Sequence, residues 1–374
     1  MKKFLDCISV VGATPSRFQG TKKYVSTGAV ATTEIDESEV VEVTYEDRPS
    51  RANLSAEAGD ILFAKMQGTR KTLLLDTETE ENIYSTGFYA VRANPEVITT
   101  ECLYYLVDSE LFLTQKDKHC SGATQKAITN GGLAKIEIRV PPLSEQGVMA
   151  EKLRYLTQLI ADKRKQLELY DQVIKSRFIE MFGTISSNEQ NFEILTIESL
   201  CSLIKDGTHQ TPTYTEDTLN GFKFLSSKDV MTEKIDWSNI KYIPSDLHEK
   251  LYAVVKPIRN DILMSKNGVN YGVAAVNDTD EVFDIYVSLA LLRPKTDIIN
   301  PVYFRCAINN PDTKRQFDGS IKGIGVPNLH LGEIKKTQIL VPPMDKQIEY
   351  VSFVEHIDKS KYHSDSTYRM EVAA

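Results

Sequence analysis

The amino-acid sequence predicts an α+β protein in which two similar globular units are joined by long helices. Three observations support this: a length of 374 residues, which exceeds one ordinary core, a sequence repeat with an offset near 200 residues, and a proline-free helical segment after the first repeat unit. Because a duplication within one chain favours pseudo-two-fold symmetry, we expect the two units to be related in this way. We expect the long helices to form an antiparallel coiled coil.

The internal repeat consists of segments that recur in the same order. The matching pairs are residues 24–30 with 224–230, 59–65 with 260–266, 140–146 with 341–347 and, more weakly, 121–123 with 318–320, at offsets of 200, 201, 201 and 197 residues. Solenoid repeats have periods of only about 20–50 residues. A repeat of this length therefore predicts two whole domains.

Each repeat unit begins with a strand-rich segment and continues into a helix. Alternating runs at 88–92 and 136–140, separated by glycine and proline, predict strands. Short helices are predicted around 104–106 and 302–304. The expected boundaries are a first domain at 1–142, a central helix at 143–183, a second domain at 184–343 and a C-terminal helix at 344–374.

A long helix is predicted over residues 145–182, where there is no proline. Ser144 is a candidate N-cap and Gly183 a natural stop. About 39 residues at 1.5 Å per residue give roughly 58 Å, so the helix must pack on another long element. The helix that starts near Met344 is the expected partner. The apolar residues predicted to form the pairing seam are Leu153, Leu156, Ile160, Leu167, Tyr170, Ile174 and Met181 with Ile348, Val351, Val354 and Ile357.

The composition is that of an ordinary globular protein, with 41% hydrophobic and 26% charged residues. No apolar run approaches the length of a membrane span and no signal peptide is visible, so we expect a soluble cytoplasmic protein with no membrane partner. The five cysteines are dispersed and form no CxxC pair, which predicts reduced thiols.

The net charge of −8 counts against nucleic-acid binding. Affinity for phosphate nevertheless depends on where lysines and arginines lie, and not on the sum over the chain. Acidic residues concentrate at 34–47 and 76–81, segments that could face away from a ligand.

Motifs of enzyme active sites are missing or incomplete. There is no GxxxxGK[ST] loop and no HExxH, and residues 300–303 lack the second proline of the methyltransferase Asn-Pro-Pro-Tyr box. Glu333 and Lys335 have the E-x-K spacing of nucleases, but the first half offers no counterpart. We therefore expect a non-catalytic protein with no cofactor and no metal site.

The repeat, the segment 140–146 (Val-Pro-Pro-Leu-Ser-Glu-Gln) and the long helix together resemble the specificity subunit of Type I restriction–modification systems. Residues 206–212 (Asp-Gly-Thr-His-Gln-Thr-Pro) and 224–229 (Phe-Leu-Ser-Ser-Lys-Asp) also look like segments of that family. The resemblance covers essentially the whole chain. The C-terminal helix departs from it, because this helix is shorter and less apolar than the central one.

The resemblance implies that each globular unit is a target-recognition domain that reads one half of a bipartite site in double-stranded DNA. The paired helices would fix the gap between the half-sites, and a helix of the expected length exceeds one turn of B-DNA, about 34 Å. The implied partners are two methyltransferase (modification) subunits, which would carry out DNA methylation, and a restriction (translocase–nuclease) subunit.

The candidate DNA-binding residues lie in polar turns and loops within each unit. Such segments combine cations for phosphates with amide or guanidinium groups for base edges, and the alternative for each is a solvated hairpin tip. The first group is Lys65, Gln67, Gly68, Thr69, Arg70 and Lys71 with Lys266, Asn267, Gly268, Asn270 and Tyr271. The second is Ser121, Thr124, Gln125 and Lys126 with Lys322, Asn328 and His330. The third is Thr208, His209, Gln210 and Lys228 with Lys22 and Lys23.

Two other classes of function stay open at the level of sequence. One is a duplicated protein–protein scaffold with a coiled-coil dimerisation arm, which the acidic net charge favours. The other is an enzyme, which rests only on the incomplete motifs above. The sequence also leaves open whether the isolated chain forms a homodimer.

Overall fold

The computed structural model describes residues 1–123, 125–321 and 327–373, with side chains of the last helix described to residue 361. The chain divides into two compact units, Met1–Ala161 (unit 1) and Asp162–Ala374 (unit 2). Over these described ranges, no helix combines the length and apolar character that a membrane span requires. All five cysteines are free and none is exposed, in line with the expected reduced thiols.

Unit 1 contains three sheets and three short helices before the long helix. Its strands are β1 Lys2–Lys3, β2 Ile8–Val11, β3 Lys22–Val25, β4 Val30–Ala31, β5 Glu34–Ile35, β6 Val41–Val43, β7 Ala52–Leu54, β8 Ile61–Ala64, β9 Thr72–Leu74, β10 Ile83–Ser85, β11 Phe88–Ala93 and β12 Glu137–Ile138. Its helices are α1 Thr100–Val107, α2 Glu110–Lys118, α3 Asn130–Leu133 and α4 Leu143–Phe182, of which α4 continues into unit 2. A two-stranded hairpin of β4 and β5 adds to the sheets.

Unit 2 follows a similar order of elements, with the additional helices α5 Ile197–Leu200 and α6 Ser245–Tyr252. Its strands are β13 Glu193–Thr196, β14 Cys201–Asp206, β15 Phe222–Leu225, β16 Lys241–Ile243, β17 Ile262–Ser265, β18 Ala274–Val276, β19 Phe283–Ile285, β20 Leu289–Pro294 and β21 Gln338–Val341. Its other helices are α7 Pro301–Ile308, α8 Pro311–Ser320, α9 Leu331–Lys336 and α10 Met344–Ala373. Short 3₁₀ helices cover Phe4–Asp6, Glu37–Glu39, Thr79–Glu81 and Ser227–Val230.

The two units share two sheet arrangements and differ in a third, which has four strands (β6-β3-β10-β7) in unit 1 and three (β16-β15-β19) in unit 2. The antiparallel sheet β2-β11-β8-β9 of unit 1 corresponds to β14-β20-β17-β18 of unit 2, and the pair β1-β12 corresponds to β13-β21. In the remaining sheet, β3 pairs in parallel with β10, as β15 pairs in parallel with β19. This confirms the prediction of two similar α+β units. The fourth sequence match was wrong as a structural equivalence, because Gly122 lies in a loop after α2 whereas Gly319 lies within α8.

A buried aspartate explains why the segment at 59–65 recurs at 260–266. Asp60 is 1% exposed and accepts from Arg92 Nε at 2.6 Å, and Asp261 is 1% exposed and accepts from Arg293 Nε at 2.8 Å. Each carboxylate also accepts a nearby backbone N–H, from Glu57 and Ile258 respectively. The recurring aspartate thus joins β8 to β11 and β17 to β20, because a buried carboxylate needs a cation and hydrogen bonds.

A buried glutamine explains the recurring segment at 140–146 and 341–347. Gln146 is fully buried, accepts from the backbone N–H of Thr99 at 2.7 Å, and donates to the carbonyls of Val97 at 3.0 Å and Pro141 at 2.9 Å. Gln347 repeats these three bonds with the backbone of Asn300, Ile298 and Pro342. The glutamine thereby fixes the first turn of each long helix to its own unit. Because α4 starts at Leu143, Ser144 lies inside the first turn and is not the N-cap.

In unit 2 the second half of α4 packs against α10. The Tyr350 ring lies 5.5 Å from Phe178 and 5.5 Å from Phe182, and its hydroxyl donates to the carbonyl of Ile174 at 3.0 Å. Lys361 pairs with Asp171 at 2.5 Å, so residue numbers rise along one helix as they fall along the other. The two helices are therefore antiparallel in this stretch.

The predicted seam is only partly packed. Ile174, Val351 and Val354 are buried in the core of unit 2, with Met181 and Ile357 packed against it. Leu153, Leu156 and Ile348 are 40%, 42% and 52% exposed, whereas Ile160, Leu167 and Tyr170 are half-buried. The predicted seam did not include Phe178 and Phe182, which are buried because α4 presents an i, i+4 aromatic row to unit 2.

Candidate nucleic-acid interface

In unit 1 the first two candidate groups lie side by side. The turn at 65–71 joins β8 to β9, and the loop at 119–128 joins α2 to α3. The backbone N–H of Gln67 donates to the carbonyl of Lys126 at 3.0 Å, and that of Ile128 donates to Lys65 at 2.9 Å. We call these two segments the unit 1 loop pair. Thr124, which belongs to it by sequence, lies outside the described residues.

Unit 2 joins the equivalent segments in the same way. The backbone N–H of Leu329 donates to Lys266 at 2.8 Å, and that of Gly268 donates to Pro327 at 3.1 Å. Residues 266–271 and 327–330 form the unit 2 loop pair. Lys322 lies outside the described residues. Both units therefore hold two candidate groups together at the same end of the same antiparallel sheet.

Polar side chains of both loop pairs are open to solvent. The exposed residues are Gln67, Gly68, Arg70, Ser121, Gln125 and Lys126 in unit 1, and Asn267, Asn270, Asn328 and His330 in unit 2, with Thr69, Lys71 and Gly268 partly exposed. Arg70 is held by Asp108, with Nε to Oδ1 at 3.2 Å and Nη2 to Oδ2 at 2.7 Å. This hydrogen bonding raises the pKa of Arg70. Its remaining N–H groups are free to donate to a ligand.

The recurring lysine has a different environment in each unit. Lys65 is half-buried, donates to the carbonyl of Thr86 at 2.9 Å and lies 4.5 Å from the Tyr89 ring centroid. Burial lowers the pKa of Lys65. Lys266 is 5% exposed and is paired with the carboxylate of Asp206. A contact between Lys266 and DNA would require breaking this ion pair. Lys266 therefore stabilises the loop from inside and is not exposed for DNA binding.

Tyr271 and Lys71 also support the loops from within. Tyr271 is 9% exposed, and its hydroxyl donates to Asp318 at 2.5 Å. Lys71 donates to the carbonyl of Thr27 at 2.5 Å. Tyr271 was predicted as a surface contact, but the packing of the turn onto α8 buries it.

The third group divides between the two units. In unit 2, Asp206 contacts both Lys266 and His209, the latter at 3.6 Å, so the segment 208–210 adjoins the unit 2 loop pair. Thr208 accepts from the N–H of Gln210 at 3.2 Å. The ammonium of Lys228 contacts Asp229 and donates to the carbonyl of Asn239 at 2.9 Å.

Lys22 and Lys23 do not join the unit 1 loop pair. Lys22 lines a cavity with Asp60, at the start of β8, whereas the loop pair follows the end of that strand. Four strand residues span about 13 Å. Lys22 pairs with Glu81 at 2.9 Å and Lys23 with Glu37 at 2.8 Å. Both lysines therefore neutralise acidic segments away from the loops.

The acidic segment at 76–81 lies at the far end of the sheet from the unit 1 loop pair. It follows β9, whose Leu74 pairs with Ile61 at the start of β8, and the N–H of Leu75 donates to Asp60. This position agrees with the expectation that acidic residues there face away from the candidate interface. The segment at 34–47 differs, because it begins near the turn: the N–H of Thr72 donates to the carbonyl of Thr32.

Sequence reasoning missed the residues on α2 and α8 that hold the loops. Lys116, which is 2% exposed, donates to the carbonyls of Met66 at 2.7 Å and Thr69 at 3.1 Å. Asp117 accepts from the N–H of Gly68 at 2.9 Å, as Asp318 accepts from Tyr271. The two aspartates are 201 residues apart, which is the offset of the strong sequence matches. This shared offset is the signal in the sequence from which they could have been found.

The chemistry of both loop pairs suits recognition of a ligand by hydrogen bonding. Amide, guanidinium, imidazole and ammonium groups project from turns whose backbones are tied to a rigid sheet. Among the residues that the structure describes, no group of three or more histidine, cysteine or acidic side chains is placed to hold a metal ion.

Comparison with known proteins shows what the chain resembles. Residues 12–169 match the family model of the Type I restriction modification DNA specificity domain. The EcoBI specificity subunit of Escherichia coli is 23% identical over 270 residues, which cover 66% of this chain and 56% of that protein. The EcoKI specificity subunit of Escherichia coli K12 is 22% identical over 289 residues, covering 72% of this chain and 61% of that protein.

Solved structures show the same fold. The S subunit of a Type I system from M. genitalium aligns over 100% of this chain and 92% of its own, with a TM-score of 0.51 and 14% identity. A chain from a structural study of assembly and conformational transition in the type I R-M system aligns over 100% of this chain and 93% of its own, with a TM-score of 0.55 and 18% identity.

Unit 1 is therefore built around a DNA specificity domain. Over most of its length the chain is similar to the specificity subunits of Type I restriction–modification systems. Its matches span only a little over half the length of the first two curated relatives, 56% and 55%.

Proposed function

We propose that this chain is the sequence-specificity subunit of a Type I restriction–modification complex and reads a bipartite DNA site, one half-site with each unit. The observation that carries the proposal is the recurrence of the loop pair, at the same end of the same four-stranded sheet, in two units of which the first matches a DNA specificity domain. Duplicated readers on one chain are the arrangement that a two-part site requires.

The side chains of the loop pairs support different base preferences for the two units. Unit 1 presents Arg70, and arginine donates two hydrogen bonds to guanine O6 and N7 in the major groove. Unit 2 presents Asn267, Asn270 and Asn328, and asparagine pairs with adenine N6 and N7. We therefore expect guanine in the half-site of unit 1 and adenine in the half-site of unit 2.

The long helices are proposed to set the gap between the half-sites and to dock the partner subunits. The first half of α4 keeps the apolar side chains of Val148, Met149, Tyr155 and Leu156 exposed, and exposed apolar groups of this kind often mark protein–protein contacts. Two methyltransferase subunits are the proposed occupants, and a restriction subunit joins them. In this proposal the chain is a cytoplasmic recognition component, and its partners supply the chemistry of modification and cleavage.

A protein–protein scaffold that does not read DNA is the second candidate, and the net charge of −8 favours it. A pull-down of the full chain from cells, without nuclease treatment, separates the two. The proposed function predicts that a DNA methyltransferase and DNA both co-purify, and that DNA is lost when salt is raised. Co-purification of proteins alone, with no DNA at low salt, would support the scaffold.

Arg70→Ala is expected to lower discrimination at one half-site by about tenfold or more, because a bidentate contact to a base contributes about 1–3 kcal/mol. Binding is measured with duplexes in which either half-site is altered. Arg17→Ala is the matched control, because Arg17 is also exposed and ion-paired, to Glu46 at 2.9 Å, but lies outside the loop pair. An equal loss on every DNA sequence would make Arg70 a phosphate contact.

A further inference from the structure

The turn at 65–71 of unit 1 is held by a buried lysine. The Lys116 ammonium donates to the carbonyls of Met66 and Thr69, at 2.7 and 3.1 Å, and lies 3.1 Å from Asp117 Oδ1. The ammonium thus makes two hydrogen bonds to the turn, and Asp117 adds an ion-pair contact. A lysine that is 2% exposed is rare in proteins unless it is paired.

Asp117 fixes the tip of the same turn. Its Oδ2 accepts from the N–H of Gly68 at 2.9 Å, and its carbonyl accepts from Gln67 Nε2 at 3.3 Å. Gly68 has φ +72°, a backbone conformation that glycine adopts without strain. Two consecutive residues of α2 thus bond to four groups of a turn that carries the exposed Gln67 and Arg70.

Unit 2 holds the equivalent turn by different chemistry. The position 201 residues after Lys116 is Phe317, which is 1% exposed. Gly272 packs on this ring so closely that a Cβ at Gly272 would lie 2.8 Å from it. Asp318, the equivalent of Asp117, accepts from the hydroxyl of Tyr271 at 2.5 Å. An aromatic contact in unit 2 stands in place of the ammonium of unit 1.

We propose that Lys116 and Asp117 are positioning residues that preform the unit 1 turn for reading bases, and that Phe317 and Asp318 do the same in unit 2. The inference rests on the proposed function. Its physical basis is preorganisation: a turn that is already fixed loses less conformational entropy when it binds DNA. Because the two supports share no residue, each half-site can be disabled without disturbing the other.

The test uses Lys116→Met in the full chain. This substitution keeps the approximate length of the side chain and removes its three N–H donors. Amide hydrogen exchange in residues 66–70 is expected to accelerate by about tenfold or more, because the carbonyls of Met66 and Thr69 lose their donor. Selection from a randomised duplex library is expected to return a motif that keeps the half-site of unit 2 and loses base preference in the other half.

Lys118→Met is the matched control. Lys118 lies in the same helix and is exposed, and its replacement by methionine removes the same charge. It is expected to select the unaltered two-part motif. If Lys116→Met fails to fold, Asp117→Leu serves as the second variant, because it removes the acceptor of the Gly68 N–H, and the same half-specific loss is expected. Retention of the complete motif by the folded variant, or the same loss with Lys118→Met, overturns the inference. If the unaltered chain selects no motif, the proposed function fails. The hydrogen-exchange measurement then still tests whether Lys116 and Asp117 fix the turn.

Discussion

Replacing Tyr350 by alanine is expected to destabilise unit 2 by about 3–5 kcal/mol, the range for loss of a large aromatic side chain from a core. Tyr350 is fully buried, and its ring meets Phe178, Phe182 and Tyr303 with centroids 5.5, 5.5 and 6.2 Å away. The ring therefore joins α10 both to α4 and to α7. Urea denaturation, monitored by amide hydrogen exchange in unit 2, measures the loss in free energy of unfolding.

Tyr350→Phe is the control for this prediction. It removes only the hydroxyl that donates to Ile174 at 3.0 Å, and about 1 kcal/mol is the expected loss for one such bond. If Tyr350→Ala lowers the free energy of unfolding by no more than Tyr350→Phe does, the packing of α10 on α4 does not stabilise unit 2. This result would contradict the prediction.

The second large effect is expected from Gln347→Leu, which is predicted to cost about 2–4 kcal/mol. The substitution leaves three buried backbone groups without their partner: the N–H of Asn300 and the carbonyls of Ile298 and Pro342. Unsatisfied buried groups cost about 1–3 kcal/mol each, with partial relief from relaxation. Denaturant unfolding resolved by hydrogen exchange shows whether the loss falls in unit 2.

Gln146→Leu provides the matched variant, because its three bonds are the same ones in unit 1. We expect a loss of similar size that is confined to unit 1. Gln190→Leu, at an exposed position with one bond to the carbonyl of Met181, is expected to cost well under 1 kcal/mol. If replacing the exposed glutamine lowers the free energy of unfolding as much as replacing a buried one, the recurring glutamine does not fix the first turn of each long helix.

The architecture could be predicted from sequence because the repeat carries structural residues. Asp60 and Gln146 recur 201 residues later, and both are buried groups whose partners define how strands and helices join. Short weak matches do not carry this information. The match between Gly122 and Gly319 paired a loop with a helix, since three small residues recur by chance.

The candidate site could be predicted only in part. Its turns are visible as glycine-containing segments after recurring strands, but the fate of each side chain depends on tertiary contacts. Lys266 looks like a surface cation in sequence and is buried against Asp206, and Lys116 looks like a solvated helix residue and is buried under the turn. The seam residue Phe178 was missed because a heptad count ignores the globular unit that α4 also packs against.

In the proposed function, two readers on one chain select the two halves of a DNA site. Sequencing of methylated positions in genomic DNA, from cells that carry this chain with its methyltransferase, tests it most directly. The account predicts a two-part motif with a gap of constant length, in which Arg70→Ala relaxes one half alone. A single uninterrupted motif, or a methylation pattern that is unchanged when the chain is deleted, would contradict it.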